Sequence, residues 1–468
     1  MKSAAKLGSL VLLPLMMFTF AGCEKKSETT TGHKWGWISG ADIVDQIGVY
    51  GTLATPAAAN VPGSREDAAS WRDASGRFWL FGGYGFDAAG YRDRLNDLWV
   101  YDPTSGNWAW MAGGTLIDEP AVYGTRGVVS ASNIPGARNG SVAWVDADGT
   151  AWLFGGFGFT TASEYGNLND LWTYDASAGE WTWVMGGSAV DEAGVYGTQG
   201  TPAASNIPGA RFGAVSATGA DGRFWLFGGY GQDASGNRGW LNDLWTFDPV
   251  TRQWTWIAGG NAHDQGGTYG TKGTAAAANI PGSRYMGAGW LAPDGLFWLF
   301  GGEGFDSDET RGLLNDLWKY DPATGQWTWV TGSDAVQAAG SYTTVDTEST
   351  TDTPGSRSGI AYWIDADGNL WLFGGYGLDS TAYDRWLNDL WKFSRTSGKW
   401  TWTAGSSTGG VKGTYGTKGT PETTNRPGAR MSPAAWLDGS GRFWFFGGYG
   451  ADSKAAGGWL NDLWQFTK

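Results

Sequence analysis

Cysteine is nearly absent from this 468-residue chain: Cys23 stands alone, so no disulfide can form within it and its stability has to come from packing. Histidine is almost as scarce. His33 and His263 are the only two, which removes any Cys/His zinc cluster and leaves no Ser-His-Asp set. There is no phosphate loop either. Positive charge is in deficit, with 32 Lys and Arg against 46 Asp and Glu, a net charge of -14 and a pI near 4.6. Nucleic acid needs a basic patch and the body of the chain offers none, so that class of partner is excluded. The same balance argues against a peripheral hold on anionic lipid.

What is abundant is glycine and tryptophan, 78 and 32 residues. Together with few helix signals they indicate an all-β protein. The start of the chain stands apart: Lys2 and Lys6 precede an apolar run from Leu7 to Phe20, the pattern of a targeting segment too short to span a bilayer. It ends in Phe20-Ala21-Gly22-Cys23, which resembles the bacterial lipobox. The resemblance implies that residues 1–23 are a lipoprotein signal peptide, that Cys23 is lipidated, and that it becomes the new N-terminus. Glu24 in place of Asp favours the outer membrane of a bacterial cell envelope, with the lipid as the only membrane contact. Residues 24–34 are polar and Thr-rich, a flexible tether.

From there the chain repeats. The five letters LNDLW begin at Leu95, Leu168, Leu241, Leu314, Leu387 and Leu460, each 73 residues after the last. Gly-Gly at Gly82 and its five equivalents, and Trp-x-Trp at Trp35 and its five, keep the same register without insertion or deletion. Such a period is one supersecondary unit stacked on its neighbours. In the third unit a run of small residues from Gly213 to Ala217 suits a crowded inner strand. Asp221-Gly222 is a hairpin signal, and Phe224-Trp225-Leu226-Phe227 is apolar on both faces. After Gly228-Gly229 comes a variable loop, then a strand at Leu244–Phe247, a turn at Asp248-Pro249, and an outer strand at Trp254-Thr255-Trp256. A long link leads to the next unit.

Four short strands per unit, Gly-Gly after the second and Trp in the fourth, resemble the kelch repeat. Six of them imply a six-bladed β-propeller over residues 35–468. The unit departs from kelch in being longer than the family's usual length of about 50 residues. The chain ends on a third strand and begins on a fourth, so the N-terminal strand is expected to complete the sixth blade and close the ring. All 32 Trp fall in repeat registers and are expected to be the core between blades.

Both long connections emerge on one face and the tight turns on the other. The tether then enters from the tight-turn face. On the long-loop face lie two constant columns: Arg65, Arg138, Arg211, Arg284, Arg357 and Arg430, and Asp97, Asp170, Asp243, Asp316, Asp389 and Asp462. The arginines could form a positive ring at the channel mouth, but the Asp column begins on the same face and a bidentate pair is the structural alternative, which we favour. Letters that differ between units are free to recognise something. Those in the loop after Gly-Gly supply Tyr91, Arg92, Tyr165, Arg238, Trp240, Arg311, Tyr383, Arg385, Trp386 and Trp459 as candidate ligand-binding residues. They suit a protein or a glycan.

Some kelch propellers are enzymes. The resemblance to galactose oxidase would imply copper held by Tyr and His, yet two histidines, one of them in the tether, cannot build that site. No catalytic residue, metal or cofactor is therefore assigned, and no unit departs from its siblings as a specialised active site would. The expectation is a lipid-anchored, extracytoplasmic binding module. The alternative is a carbohydrate-acting enzyme, epimerase- or lyase-like, with a carboxylate/Arg site at the channel mouth.

Overall fold

In the third repeat, four strands pair antiparallel in chain order: Val215–Thr218, Phe224–Gln232, Arg238–Asp248 and Gln253–Ala258. The same order recurs in every repeat, giving six four-stranded blades in this computed structural model, which describes residues 32–161 and 163–468. Cys23, the signal segment and most of the tether lie outside the described residues. Innermost strands of successive blades touch, and the sixth touches the first. The ring is closed by Lys34–Ser39, which pairs antiparallel with the last strand, Leu463–Thr467, placing Lys34 opposite Thr467. Because that end of the third strand carries the tight turn in the other blades, the chain enters the ring from the tight-turn face.

The second and third strands run further than the sequence pattern suggests. Gly228 and Gly229 do not end the second strand: they take φ of 61° and 102° and form a bulge between Phe227 and Gly229, past which pairing resumes. Tyr230 then faces Trp240, and Gln232 faces Arg238. What was expected as a variable loop is a two-stranded ribbon projecting from the ring. Glycine is needed at the bulge because a Cβ on Gly82 would lie 2.6 Å from the carbonyl oxygen of Arg138 in the next blade. That approach joins the blades, since Gly83 N donates to the same oxygen at 2.8 Å.

Between blades the core is aromatic. Trp225 stacks on Phe297 at 5.5 Å and Phe227 meets Trp327 edge-on at 5.7 Å. Apolar side chains on both faces of each strand are what a sheet sandwiched between two others requires. The long links also have a structural role. Each lays one residue against the outermost strand of the blade it leads to, as Ala203 does on Trp254, and so covers that edge. An Asn fastens it: Asn206 Nδ2 donates to the carbonyls of Thr201 and Trp254 at 3.0 and 3.1 Å.

In the fifth blade Asp352 takes this place. It is 4% exposed, and neither of its carboxylate oxygens has a hydrogen-bond partner. A buried polar group left unmatched costs about 1–3 kcal/mol. Asp352→Asn, which restores the two donations made in the sibling blades, is expected to raise stability by about that amount; denaturant unfolding of the variant beside wild type checks it.

Candidate functional site

The Arg and Asp columns meet inside each blade. Arg65 Nη1 and Nη2 bind Asp97 at 2.6 and 2.7 Å in a two-pronged pair, while its Nε and Nη1 also donate to the carbonyls of Gly63 and Gly82. Asp97 accepts two further bonds, from Tyr50 Oη and Trp99 Nε1, both at 2.7 Å. The other five pairs, Arg138–Asp170, Arg211–Asp243, Arg284–Asp316, Arg357–Asp389 and Arg430–Asp462, repeat this geometry. No arginine of the column is more than 1% exposed. A positive ring at the channel mouth is thus ruled out, and with it an arginine site there built from this column. The paired carboxylate is what holds the guanidinium inside.

The mouth is built by the two residues after each Arg. The second of them, Asp67, Gly140, Gly213, Met286, Gly359 and Ser432, all have φ between 53° and 65°. Their backbones form a closed circle of hydrogen bonds, each N–H donating to the carbonyl of the preceding blade: Gly140 to Asp67, Gly213 to Gly140, Met286 to Gly213, Gly359 to Met286, Ser432 to Gly359 and Asp67 to Ser432, at 2.7–3.1 Å. Below the circle the channel is lined mostly by small residues, as the run in the sequence implies, with Trp144, Ile360 and Tyr362 among the larger ones. The Tyr362 hydroxyl crosses from the fifth blade to the carbonyl of Ser216 in the third, at 3.4 Å. Cavities of about 130 Å³ at the circle and about 300 Å³ below it share Tyr362 in their walls.

Above the circle the ribbons form a funnel, and here the candidate residues divide. Trp240, Trp386 and Trp459 are half-buried in the seams between ribbons. Trp459 meets Tyr84 and Phe86, Trp240 meets Tyr285 and Phe305, and Trp386 meets Tyr449 at 5.2 Å. Three arginines cover aromatic rings, Arg92 over Trp459 at 4.2 Å, Arg311 over Trp240 at 4.8 Å and Arg385 over Tyr383 at 5.7 Å. Arg238 binds Asp191 at 2.6 Å. Of the six aromatic candidates, the tyrosines stand furthest into solvent: Tyr91, Tyr165 and Tyr383 are 67%, 56% and 63% exposed. The ten residues do not converge on one point; they ring the rim.

Two residues with stronger chemistry lie at the funnel floor and were not among the candidates. In the first blade, Glu66 and Asp67 occupy positions held elsewhere by Asn139-Gly140, Phe212-Gly213, Tyr285-Met286, Ser358-Gly359 and Met431-Ser432. One unit therefore does depart from its siblings. Trp459 Nε1 donates to Glu66 Oε1 at 3.0 Å, while Oε2 is buried without a partner. Burial pushes the Glu66 carboxyl up to about 8; Asp67 beside it adds to the rise and the Trp459 indole opposes it. Burial pushes Asp67 up to about 6, with Ser432 and Asn139 close enough to hold it back.

A carboxyl whose folded pKa is raised favours folding while protonated, so its contribution is complete below the usual carboxylate range and lost as pH rises through the raised value. Wild type should therefore lose melting temperature between pH 4.5, the ordinary Glu value, and pH 8. Glu66→Gln should flatten that fall. Melting curves of both proteins across the window check it, and parallel curves would remove Glu66 as the cause.

Asp306 has a structural role: it accepts from the backbone N–H of Asp308, Thr310 and Val336, so it shapes a ribbon tip. Among the described residues no group of three or more His, Cys, Asp or Glu could hold a metal.

Six four-stranded blades around a narrow channel, each with a Gly-Gly bulge past the apolar run of its second strand and a buried Arg–Asp lock, define a six-bladed β-propeller. Residues 126–345, from the link before the second blade to the link before the fifth, match the family model described as the KLHDC2/KLHL20/DRC7 Kelch-repeats domain. The chain is thus similar to kelch propellers over that span. No curated protein matches it.

Proposed function

We propose that the chain is a protein-binding propeller, anchored by a lipid on Cys23 at the bacterial outer membrane, with its ribbon face turned away from the anchor. Protein binding is what kelch repeats generally do, and the match over residues 126–345 supports it here. The observation that carries the reading is directional. Lys34 joins the sixth blade beside Thr467, at the tight-turn face, so a tether from Cys23 leaves the opposite face free. That face carries Tyr91, Tyr165 and Tyr383 at its rim, all exposed. Exposed aromatic anchors are what binding hot spots use.

Two measurements test it. Cys23→Ser should move the protein from the membrane fraction to the soluble envelope fraction. Capture from envelope extract by the folded ring should be lost when Tyr91, Tyr165 and Tyr383 are changed together to Ala, with melting temperature unchanged. Equal capture by the triple variant would sink the ribbon-face assignment.

A further inference from the structure

The carboxyls at the funnel floor are short of donors: Glu66 has one bonded oxygen and one without a partner. All six backbone N–H groups of the circle are spent within it. Around Asp67 stand Glu66 Oε2 and Asn139 Oδ1, both buried without a partner, and Ser432, which is 8% exposed, lines the cavity at the circle, and has an Oγ with no bond of hydrogen-bond geometry. Such groups are costly to leave unmatched. Of the nearby cations, Arg311 lies over Trp240, Arg94 lies over Phe157 with an ion pair to Asp93 at 2.7 Å and a buried Nε without a partner, and Arg92 lies over Trp459 beside the floor. The walls are aromatic, with Trp459, Tyr285 and Phe212 beside the floor.

An occupant that matches this floor brings several donors and no acceptor, and tolerates ring faces around it. A neutral sugar hydroxyl both donates and accepts; a carboxylate or phosphate only accepts. A primary ammonium has three donors and no acceptor, and aromatic faces attract it. We propose that the channel mouth is a receptor for a lysine side chain or terminal amine of the bound partner, its ammonium seated between Glu66 and Asp67 and its alkyl stem against Trp459. The inference rests on the ribbon face being the binding face and adds what the partner must present there.

The raised carboxyls give the seat a signature. An ammonium arriving beside two carboxyls that burial holds partly protonated favours their charged forms, so binding at neutral pH releases protons, chiefly from Glu66, and tightens as pH rises from 6 to 8. The groups that titrate or carry charge around it are Glu66, Asp67, Arg92 over Trp459, and Tyr285 with its partner Glu303 and Arg311 beside them.

The probe is N-acetyl-lysine N-methylamide, with the norleucine counterpart as its uncharged match and methyl glucoside as a neutral hydroxyl ligand. Each is titrated into the folded ring by calorimetry in two buffers of different ionisation heat, and the Trp459 indole N–H is followed by NMR. The lysine amide should bind with proton release and shift the Trp459 signal. Glu66→Gln and Asp67→Asn should each weaken it by about tenfold or more. Asn is at home in the left-handed conformation that Asp67 adopts, so Asp67→Asn keeps the test alive if Glu66→Gln misfolds. Equal binding of norleucine or glucoside, no binding of the lysine amide, or binding indifferent to both substitutions would overturn the proposal. Loss of partner capture in the tyrosine variant is scored separately, so failure of the amine seat and failure of the ribbon-face reading are distinguishable.

Discussion

Asp243→Ala should lower the unfolding free energy by about 3–5 kcal/mol, the cost of stranding a buried charge. Arg211 is 1% exposed and Asp243 is its charged partner. Removing the carboxylate also strands Tyr196 Oη and Trp245 Nε1, which donate to it at 2.6 and 2.7 Å. The size of the loss does not measure how much the pair stabilises the blade. Replacing both partners with apolar residues of similar volume is often neutral, and the Arg211→Leu, Asp243→Leu double variant should recover the part owed to the stranded guanidinium charge, while Tyr196 and Trp245 stay unpaired. Denaturant unfolding of the three proteins decides it. An Asp243→Ala cost below about 1 kcal/mol, the range of a surface pair, would mean water reaches the guanidinium.

The second large effect is at the seam. Trp35 is 6% exposed and lies 4.8 Å from Phe466, 5.3 Å from Phe373 and 5.5 Å from Phe445, ring centre to ring centre. Cutting a buried Trp to Ala costs about 3–5 kcal/mol wherever it lies in a core. Trp400 holds the equivalent place in the fifth blade and should show a similar loss. The two variants should differ in their self-association. Lys34–Ser39 is held to the sixth blade mainly by its pairing with Leu463–Thr467, so weakening it frees a strand edge that other molecules can pair with. Trp35→Ala should form dimers or larger species on size exclusion near its melting range, and Trp400→Ala should not. Identical elution would mean that the strand stays paired without its tryptophan.

Most of the fold was legible because one unit is written six times. A 73-residue period without a gap forces every blade to be alike, and the mismatch between a chain starting on a fourth strand and ending on a third leaves ring closure as the simplest completion. The Arg–Asp lock was legible as a pairing because both columns are constant. The ribbon was not. Gly228-Gly229 reads as a strand end, and beyond it Tyr230-Gly231-Gln232 and Arg238-Gly239-Trp240 show no apolar alternation, because the ribbon packs on its neighbour through single rings, such as Trp240 on Tyr285, and not through a continuous apolar face. The funnel floor was missed for a different reason. Variation was sought in connections, whereas Glu66 ends a short strand directly after a constant Arg and Asp67 follows it. The signal was present as the only acidic pair in its two columns. Tyr362 is similar, one large residue in a column otherwise made of Ser70, Ala143, Ser216, Gly289 and Ala435.

Tyr362 also decides how traffic reaches the axis. Its side chain spans from the fifth blade to the third beneath a throat of about 130 Å³ and narrows the way through. A group seated at the mouth therefore meets less obstruction towards the ribbons than along the axis. Its residence time is then set mainly by the ribbons, and crowding the tight-turn side, by a surface or a bulky fusion, should change that time little.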